Sequence, residues 1–311
     1  MTKLPETIRC PDQDAFRSFL ASSANNAGTI SAVEAELAID GPFTVPGTCA
    51  VCDRTVDFQV DYTYSWVAPD GRRWPNWREH LACPHCRLNN RLRAAAGFLL
   101  AAAGPDDTIY LTEAASPLFQ VIAGHRQHTI GSEFLPDGTA SGQTNAVGIR
   151  HEDVTRLTLP DNAVDVIGSF DVLEHVPDYR RGLSEFLRCL KPGGRLFLTV
   201  PLDLAAAATV TRARLAADGQ IEHLLPPEIH GDPLSPDGVL CFYNFGWDFI
   251  DELTAQGFAD AGLSLFWDRP LGYLGGYQFI ISARKPATGN GKAGLFHRVA
   301  HLIRQVTHPS P

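Results

Sequence analysis

The chain has 311 residues, 44% of them apolar, and a formal net charge of −9, enough length for one full α/β domain and a smaller module. The charge is uneven: residues 1–105 carry a net −1, 106–285 a net −11 and 286–311 a net +3, and an acidic central block is a poor general surface for nucleic acid. No apolar run approaches the roughly 18 residues needed to cross a bilayer, and the start MTKLPETIRCPDQD has no apolar signal core, so a cytoplasmic protein is expected.

In chain order, residues 1–46 read as a helical segment. Asp14–Ala21 and Ser31–Leu37 have helix-forming composition, with a polar ASSANNAGT joint between them. Residues 47–105 read as a zinc-binding module and linker helix. Cys49-x-x-Cys52 and Cys83-x-x-Cys86 enclose a thirty-residue insert. Each pair can grip one metal from a tight turn, and two pairs complete a tetrahedral thiolate shell, for which zinc is the natural ion. Free thiols or two short disulfides are the competing reading, although C-x-x-C disulfides belong mainly to redox proteins. Four protein ligands leave no open position, which makes the zinc structural. Between the knuckles, Thr55–Tyr64 (TVDFQVDYTY) alternates like a half-exposed strand of a zinc ribbon, and Arg87–Ala103 is helix-forming. From Arg72 to Arg93 six arginines stand against the single acid Glu79, with Trp66, Trp74 and Trp77 nearby. A one-signed patch attracts phosphate; the indoles can stack on sugars or bases, or fill a small zinc core.

Residues 106–285 alternate strand and helix. Strands are expected at Thr108–Thr112, Thr129–Phe134, Val164–Ser169 and Arg195–Val200, with a helix near Pro117–Ala123 and a glycine-rich loop over Asp137–Gly148. A further helix carries Leu183, Phe186, Leu187 and Leu190 on one face and is stopped by Pro192, Gly193 and Gly194. The helix Trp247–Gln256 precedes two last strands, Leu263–Trp267 and Tyr277–Ala283. The fold class is therefore α/β: a Rossmann-like, doubly wound, mainly parallel sheet closed by an antiparallel pair, beside the small zinc module.

The succession Asp153, LTLPDNAVDVIGSFDVLEHV and LKPGGRLFLTVP closely resembles class I S-adenosylmethionine-dependent methyltransferases, over roughly residues 108–285. The resemblance implies S-adenosylmethionine as cofactor. Glu133, which ends the second sheet strand twenty residues after Glu113, matches the ribose-binding acid. Asp153 matches the acid that contacts the adenine amine, with Val154 beside it supplying backbone. Phe134, Phe170 and Asp171 border the same cofactor path. One departure stands out: IYLTEAASPLFQ has no glycine where the family places a glycine-rich loop. Ala114, Ala115 and Ser116 keep that loop thin, and Glu113 is placed to take the cofactor ammonium.

Methyl transfer is an in-line displacement in which a neutral hydroxyl acceptor needs a base. The insertion GQIEHLLPPEIHGDPLSPDGVLCFYNFGWD holds His223, Glu228, His230 and Asp232, and His230 or His223 is the expected base; packing histidines in a loop are the alternative. Asp171-x-x-Glu174-His175 also resembles the metal-binding segment of ubiquinone-type O-methyltransferases, though the same Leu-Glu-His-Val run occurs in methyltransferases without metal. The expected acceptor is a hydroxyl of a sugar, a glycan-linked group or another small molecule. A catalytically silent binding module and an RNA methyltransferase using the ribbon for recognition are the other readings. The tail 286–311 has no acid, and Leu295, Phe296, Val299, Leu302, Ile303 and Val306 share one helical face. Such a helix suits an anionic membrane surface, its own acidic core, or a homodimer contact.

Overall fold

The computed structural model describes residues 3–287 apart from 38, 40 and 233; the amphipathic-tail reading concerns residues outside the described ones. The centre is a seven-stranded sheet. Its strands, in chain order, are β1 (Ile8–Cys10), β2 (Ile109–Leu111), β3 (Thr129–Gly131), β4 (Val164–Phe170), β5 (Leu190–Thr199), β6 (Ala259–Asp268) and β7 (Tyr273–Arg284). Across the sheet they lie in the order β1-β6-β7-β5-β4-β2-β3. The pairs β2/β3, β2/β4 and β4/β5 are parallel, whereas β5/β7, β6/β7 and β1/β6 are antiparallel. The mixed sheet is the one expected, with two differences.

The first is at the N-terminus. Ile8–Cys10 pairs with Leu263–Leu265 and extends the sheet, so residues 1–46 are not helical only. The ASSANNAGT joint also closes up, because α1 (Gln13–Ser22) and α2 (Ala24–Leu37) are separated by one residue. Alternation cannot reveal a three-residue edge strand. The second difference is that the strand expected over Thr129–Phe134 ends at Gly131, and Glu133 forms only a single parallel bridge with His151.

The remaining helices follow their sequence signals. α3 (Asn90–Ala102) starts where Asn89 Oδ1 accepts from Leu92 N, and it buries every residue from Arg93 to Leu100. α4 (Pro117–His125) has Ser116 as its cap and proline in the first turn. α5 (Tyr179–Cys189) is capped by Asp178 and buries Leu183 and Phe186, but it stops one residue earlier than expected, since Leu190 begins β5 and Pro192, Gly193 and Gly194 lie within that strand. α6 (Asp248–Gln256) ends at Gly257, whose φ of 106° is open to glycine at little cost. β4 is almost continuously buried, as a central parallel strand covered on both faces must be. Two apolar cores result: one around α5, α6 and Trp247, the other joining the cysteine-bearing segment to α3, α4 and Phe266.

The four-cysteine segment is joined to the sheet. Phe43–Cys49 and Arg54–Val60 pair antiparallel, and Leu81–Ala82 adds a short third strand. Thr48 N donates to Pro270 O at 2.7 Å. A Cβ at Gly47 would lie 2.9 Å from both Pro270 O and Phe58, so glycine permits this approach. Among the described residues no helix is long and apolar enough to cross a membrane.

Candidate functional site

Cys49, Cys52, Cys83 and Cys86 converge, with all four Sγ atoms within 4.8 Å of one another. The Cys49–Cys86 and Cys52–Cys83 sulfur separations are both 3.8 Å. A tetrahedron with zinc–sulfur bonds of about 2.3 Å has edges of about 3.8 Å, so the spacing is that of a thiolate shell. The sulfurs cannot all be thiolates without a cation. A hydrogen bond from Cys86 holds the Cys49 thiol down at about 5, while burial pushes Cys52 up to about 12 and the bond to Cys49 raises Cys86. Arg93 is buried close enough to be felt by Cys49, Cys83 and Cys86. Its guanidinium donates to Leu271 O and Gly272 O at 2.9 and 2.6 Å and lies 4.1 Å from the Phe58 ring centroid. It thus supplies positive charge beside the sulfurs and ties them to β7.

A second arginine group reaches the carboxyl end of β4. Arg78 Nη2 donates to Asp171 Oδ1 at 2.8 Å, and Arg91 Nε lies 3.3 Å from Asp171 Oδ2. Thr199 Oγ1 also donates to Asp171 at 2.7 Å. Burial would raise this carboxyl, but Arg91 and Arg78 outweigh it and hold Asp171 well below the carboxylate range. Glu79 accepts from Arg91, from Arg78 and from Asn89. Half of the basic patch is internal, since Arg78 and Arg91 are ion-paired and Arg93 is buried, whereas Arg72, Arg73 and Arg87 are exposed.

In the chain Glu113 follows β2, Glu133, Phe134, Asp153 and Val154 follow β3, and Phe170 and Asp171 stand at the end of β4; their surroundings differ. Glu133 Oε1 accepts from Ala114 N and Ala115 N at 2.7 and 2.8 Å, so this acid shapes the loop that lacks glycine. Phe134 is 68% exposed although aromatic. Asp153 Oδ1 accepts from Thr155 N and Oγ1 at 2.8 and 2.7 Å. Val154 packs on the α5 core. The Phe170 ring is buried in the opposite core, which leaves only its backbone for the cleft. Asp171 is taken up by the two arginines. Glu113 Oε1 is buried with no hydrogen-bond partner, and burial pushes this carboxyl up to about 7.

The insertion brings His230 to Glu174. Glu174 is fully buried, and neither carboxyl oxygen has a hydrogen-bond partner; burial, then Asp171, raises it well above the usual range. His175 Nε2 and His230 Nδ1 each lie 3.8 Å from Glu174 Oε1, and the two imidazoles meet edge to face at 5.0 Å. The far nitrogens are anchored: His175 Nδ1 lies 2.9 Å from Leu240 O, and His230 Nε2 lies 3.0 Å from Glu228 Oε1. Burial would raise Glu228, but the bond with His230 and the charge of Arg212 hold it below the usual range. An ionised Glu228 and a carbonyl can only accept, so each ring donates there and its other nitrogen faces Glu174. A hydroxyl or a cation entering this space would meet two bases and a carboxyl. His223 does not join it; it is exposed on the hairpin formed by Ala213–Leu215 and Ile221–His223.

Residues 119–198 match a family model described as a methyltransferase domain. The sheet domain carries a methyltransferase signature. Over 55 residues the chain is 44% identical to a protein of Mycolicibacterium smegmatis named a probable S-adenosylmethionine-dependent methyltransferase, covering 18% of this chain and 21% of that protein. Over 79 residues it is 33% identical to the 27-O-demethylrifamycin SV methyltransferase of Amycolatopsis mediterranei, covering 24% of this chain and 29% of that enzyme. The chain thus aligns with less than a third of the length of these relatives. A solved S-adenosylmethionine-dependent methyltransferase from Mesorhizobium loti has a TM-score of 0.36 and 17% identity, covering 61% of this chain and 98% of that one.

Within this methyltransferase-like domain, two partnerships were not legible in the sequence, that of the arginines and that of Glu34. Arg78 and Arg91 were legible only as a basic patch, because their partner Asp171 lies 93 residues from Arg78. Glu228, named with His230 in the insertion, stands two residues from it, a spacing that puts strand neighbours on one face, and the two side chains meet at 3.0 Å. Glu34 accepts from Gly275 N, Gly276 N and Trp267 Nε1, and nothing around it in sequence signals that role.

Proposed function

We propose that the protein transfers a methyl group from S-adenosylmethionine to a hydroxyl of a sugar, a glycan-linked acceptor or another small molecule. The observation that carries this reading is the buried, unpartnered Glu113 Oε1 beside the Glu133-shaped loop. It lies at the carboxyl ends of the parallel strands, where doubly wound sheets bind nucleotides. An ammonium group would satisfy Glu113. Glu133 retains Oε2 for ribose hydroxyls, the exposed Phe134 offers a face to adenine, and Asp153 retains Oδ2 for an exocyclic amine. The cofactor supplies a methyl group on a sulfonium centre. His230, oriented by Glu228, then accepts the proton of the attacking hydroxyl through Nδ1, while the neutral Glu174 carboxyl lies within reach of the same oxygen. Zinc in the four-cysteine shell is structural, and through Arg78 and Arg91 it fixes the end of β4.

Glu133→Ala and Asp153→Ala are each expected to weaken S-adenosylmethionine binding by roughly 1–3 kcal/mol, the cost of a charge-assisted hydrogen bond. Calorimetry checks this, and wild-type affinity in both variants would remove the assignment.

Glu113 makes affinity pH-dependent. Its folded-state value of about 7 lies above the ordinary carboxylate value, so the carboxyl is neutral below pH 7 and ionised above it. Cofactor binding should tighten about tenfold from pH 5.5 to 7.5, and Glu113→Gln should flatten the profile. The raised value also means that apo-protein stability falls as pH climbs from the ordinary carboxylate value through 7. Titrations of both proteins across that range show whether the slope belongs to Glu113.

A further inference from the structure

We propose that the cleft between the zinc module and the β6–β7 turn binds a carbohydrate ring of the methyl acceptor. Its purpose rests on the methyltransferase reading; the binding itself does not. The cleft encloses about 660 Å³, the size of a small-molecule site. Its wall is a two-stranded hairpin in which Trp66 pairs directly with Trp74. The two indoles lie nearly parallel, 14° between planes and 6.2 Å between centroids. They do not fill a core, since Trp66 is 56% exposed and the neighbouring Tyr64 is 82% exposed. Large rings held in water on a rigid hairpin form a stacking platform.

Polar groups complete the cleft. Glu34 is buried and fixed by three N–H donors to Oε1, while its Oε2 accepts only a 3.2 Å contact from Gly276 N. Gln278 uses its Nε2 on Gly275 O at 2.8 Å, which leaves its carbonyl oxygen for a donor. Trp77 lines the same space, and its indole N–H is buried without a partner. An apolar platform opposed by acceptors for O–H groups matches a pyranose, which has an apolar C–H face and hydroxyls at its edge. Glu34 opposes phosphate within the cleft and Arg78 in the wall already pairs with Asp171 and Glu79, while the exposed Arg72 lies over the Trp74 ring at 5.6 Å, so adenosine monophosphate is the decisive comparison probe. The same Arg78–Asp171 contact places the cleft beside the end of β4, three residues before Glu174, so a ring stacked there can extend a hydroxyl toward His230.

The test is intrinsic tryptophan fluorescence of the full, zinc-loaded chain, titrated with the methyl glycosides of glucose, mannose, galactose and rhamnose, with adenosine monophosphate and catechol as comparison probes. At least one glycoside should give saturable quenching in the millimolar range. Trp66→Ala and Trp74→Ala should each weaken it about tenfold, Trp66→Tyr should restore most of it, and zinc content should not change. No saturable response to any glycoside, or saturation by adenosine monophosphate or catechol alone, would overturn the proposal. Calorimetry with S-adenosylhomocysteine on the same preparation separates the two readings. Glycoside binding without S-adenosylhomocysteine binding would retain the cleft and remove the methyltransferase; the reverse would remove the cleft alone.

Discussion

Cys83→Ser is expected to release the single zinc ion per chain and to weaken cofactor binding at a site the zinc does not touch. A structural zinc site contributes on the order of 10 kcal/mol of apparent folding energy, more than a small three-stranded ribbon can draw from its own core. Losing it should melt the pairing of Phe43–Cys49 with Arg54–Val60. The damage should spread, because Arg78 and Arg91 hold Asp171 at the end of β4 and Arg93 holds the turn into β7. Without the arginines the half-buried Asp171 loses the partners that hold its charge. Elemental analysis and calorimetry on the variant check both halves. Protein purified without chelator that carries no stoichiometric metal would contradict the zinc centre. Full cofactor affinity in a zinc-free variant would show that the ribbon does not support the cleft.

His230→Ala should lower turnover on the order of 10²-fold or more while leaving cofactor affinity nearly unchanged. The asymmetry follows from geometry. His230 faces Glu174 and is oriented by Glu228, whereas the groups proposed to hold the cofactor, Glu113, Glu133 and Asp153, are not among the contacts of His230. His223→Ala serves as the control, since an exposed hairpin residue outside the cluster should change turnover only within a few-fold. Glu228→Gln should fall between them, because a neutral amide holds the ring less firmly. Single-turnover rates separate chemistry from binding, and near wild-type turnover in His230→Ala would return this histidine to a packing role.

The parts of this structure that sequence revealed are those with a period or a fixed spacing. The buried run of β4, the one-faced helix α5 and the paired C-x-x-C knuckles each carry a local signature, and each folds accordingly. Edge strands such as Ile8–Cys10 are too short to show a period. The His230–Glu174 meeting depends on an insertion folding back onto the end of β4, where Phe242 N donates to Glu174 O at 2.7 Å; no local pattern encodes that return. The arginine patch was visible, but not its inner pairing. Like charges in sequence suggest an external anion, whereas for Arg78 and Arg91 the anions come from within the fold, as Glu79 and Asp171. Glu113 shows the reverse case, since the glycine-free loop drew attention to it and burial then left its oxygen without a partner.

The measurement that bears most directly on the whole account is calorimetric titration of the wild-type, zinc-loaded chain with S-adenosylmethionine and S-adenosylhomocysteine. The account predicts one site per chain for each, with affinity that falls in Glu133→Ala and stays in His230→Ala. Absence of binding at millimolar cofactor would contradict it and leave a catalytically silent fold.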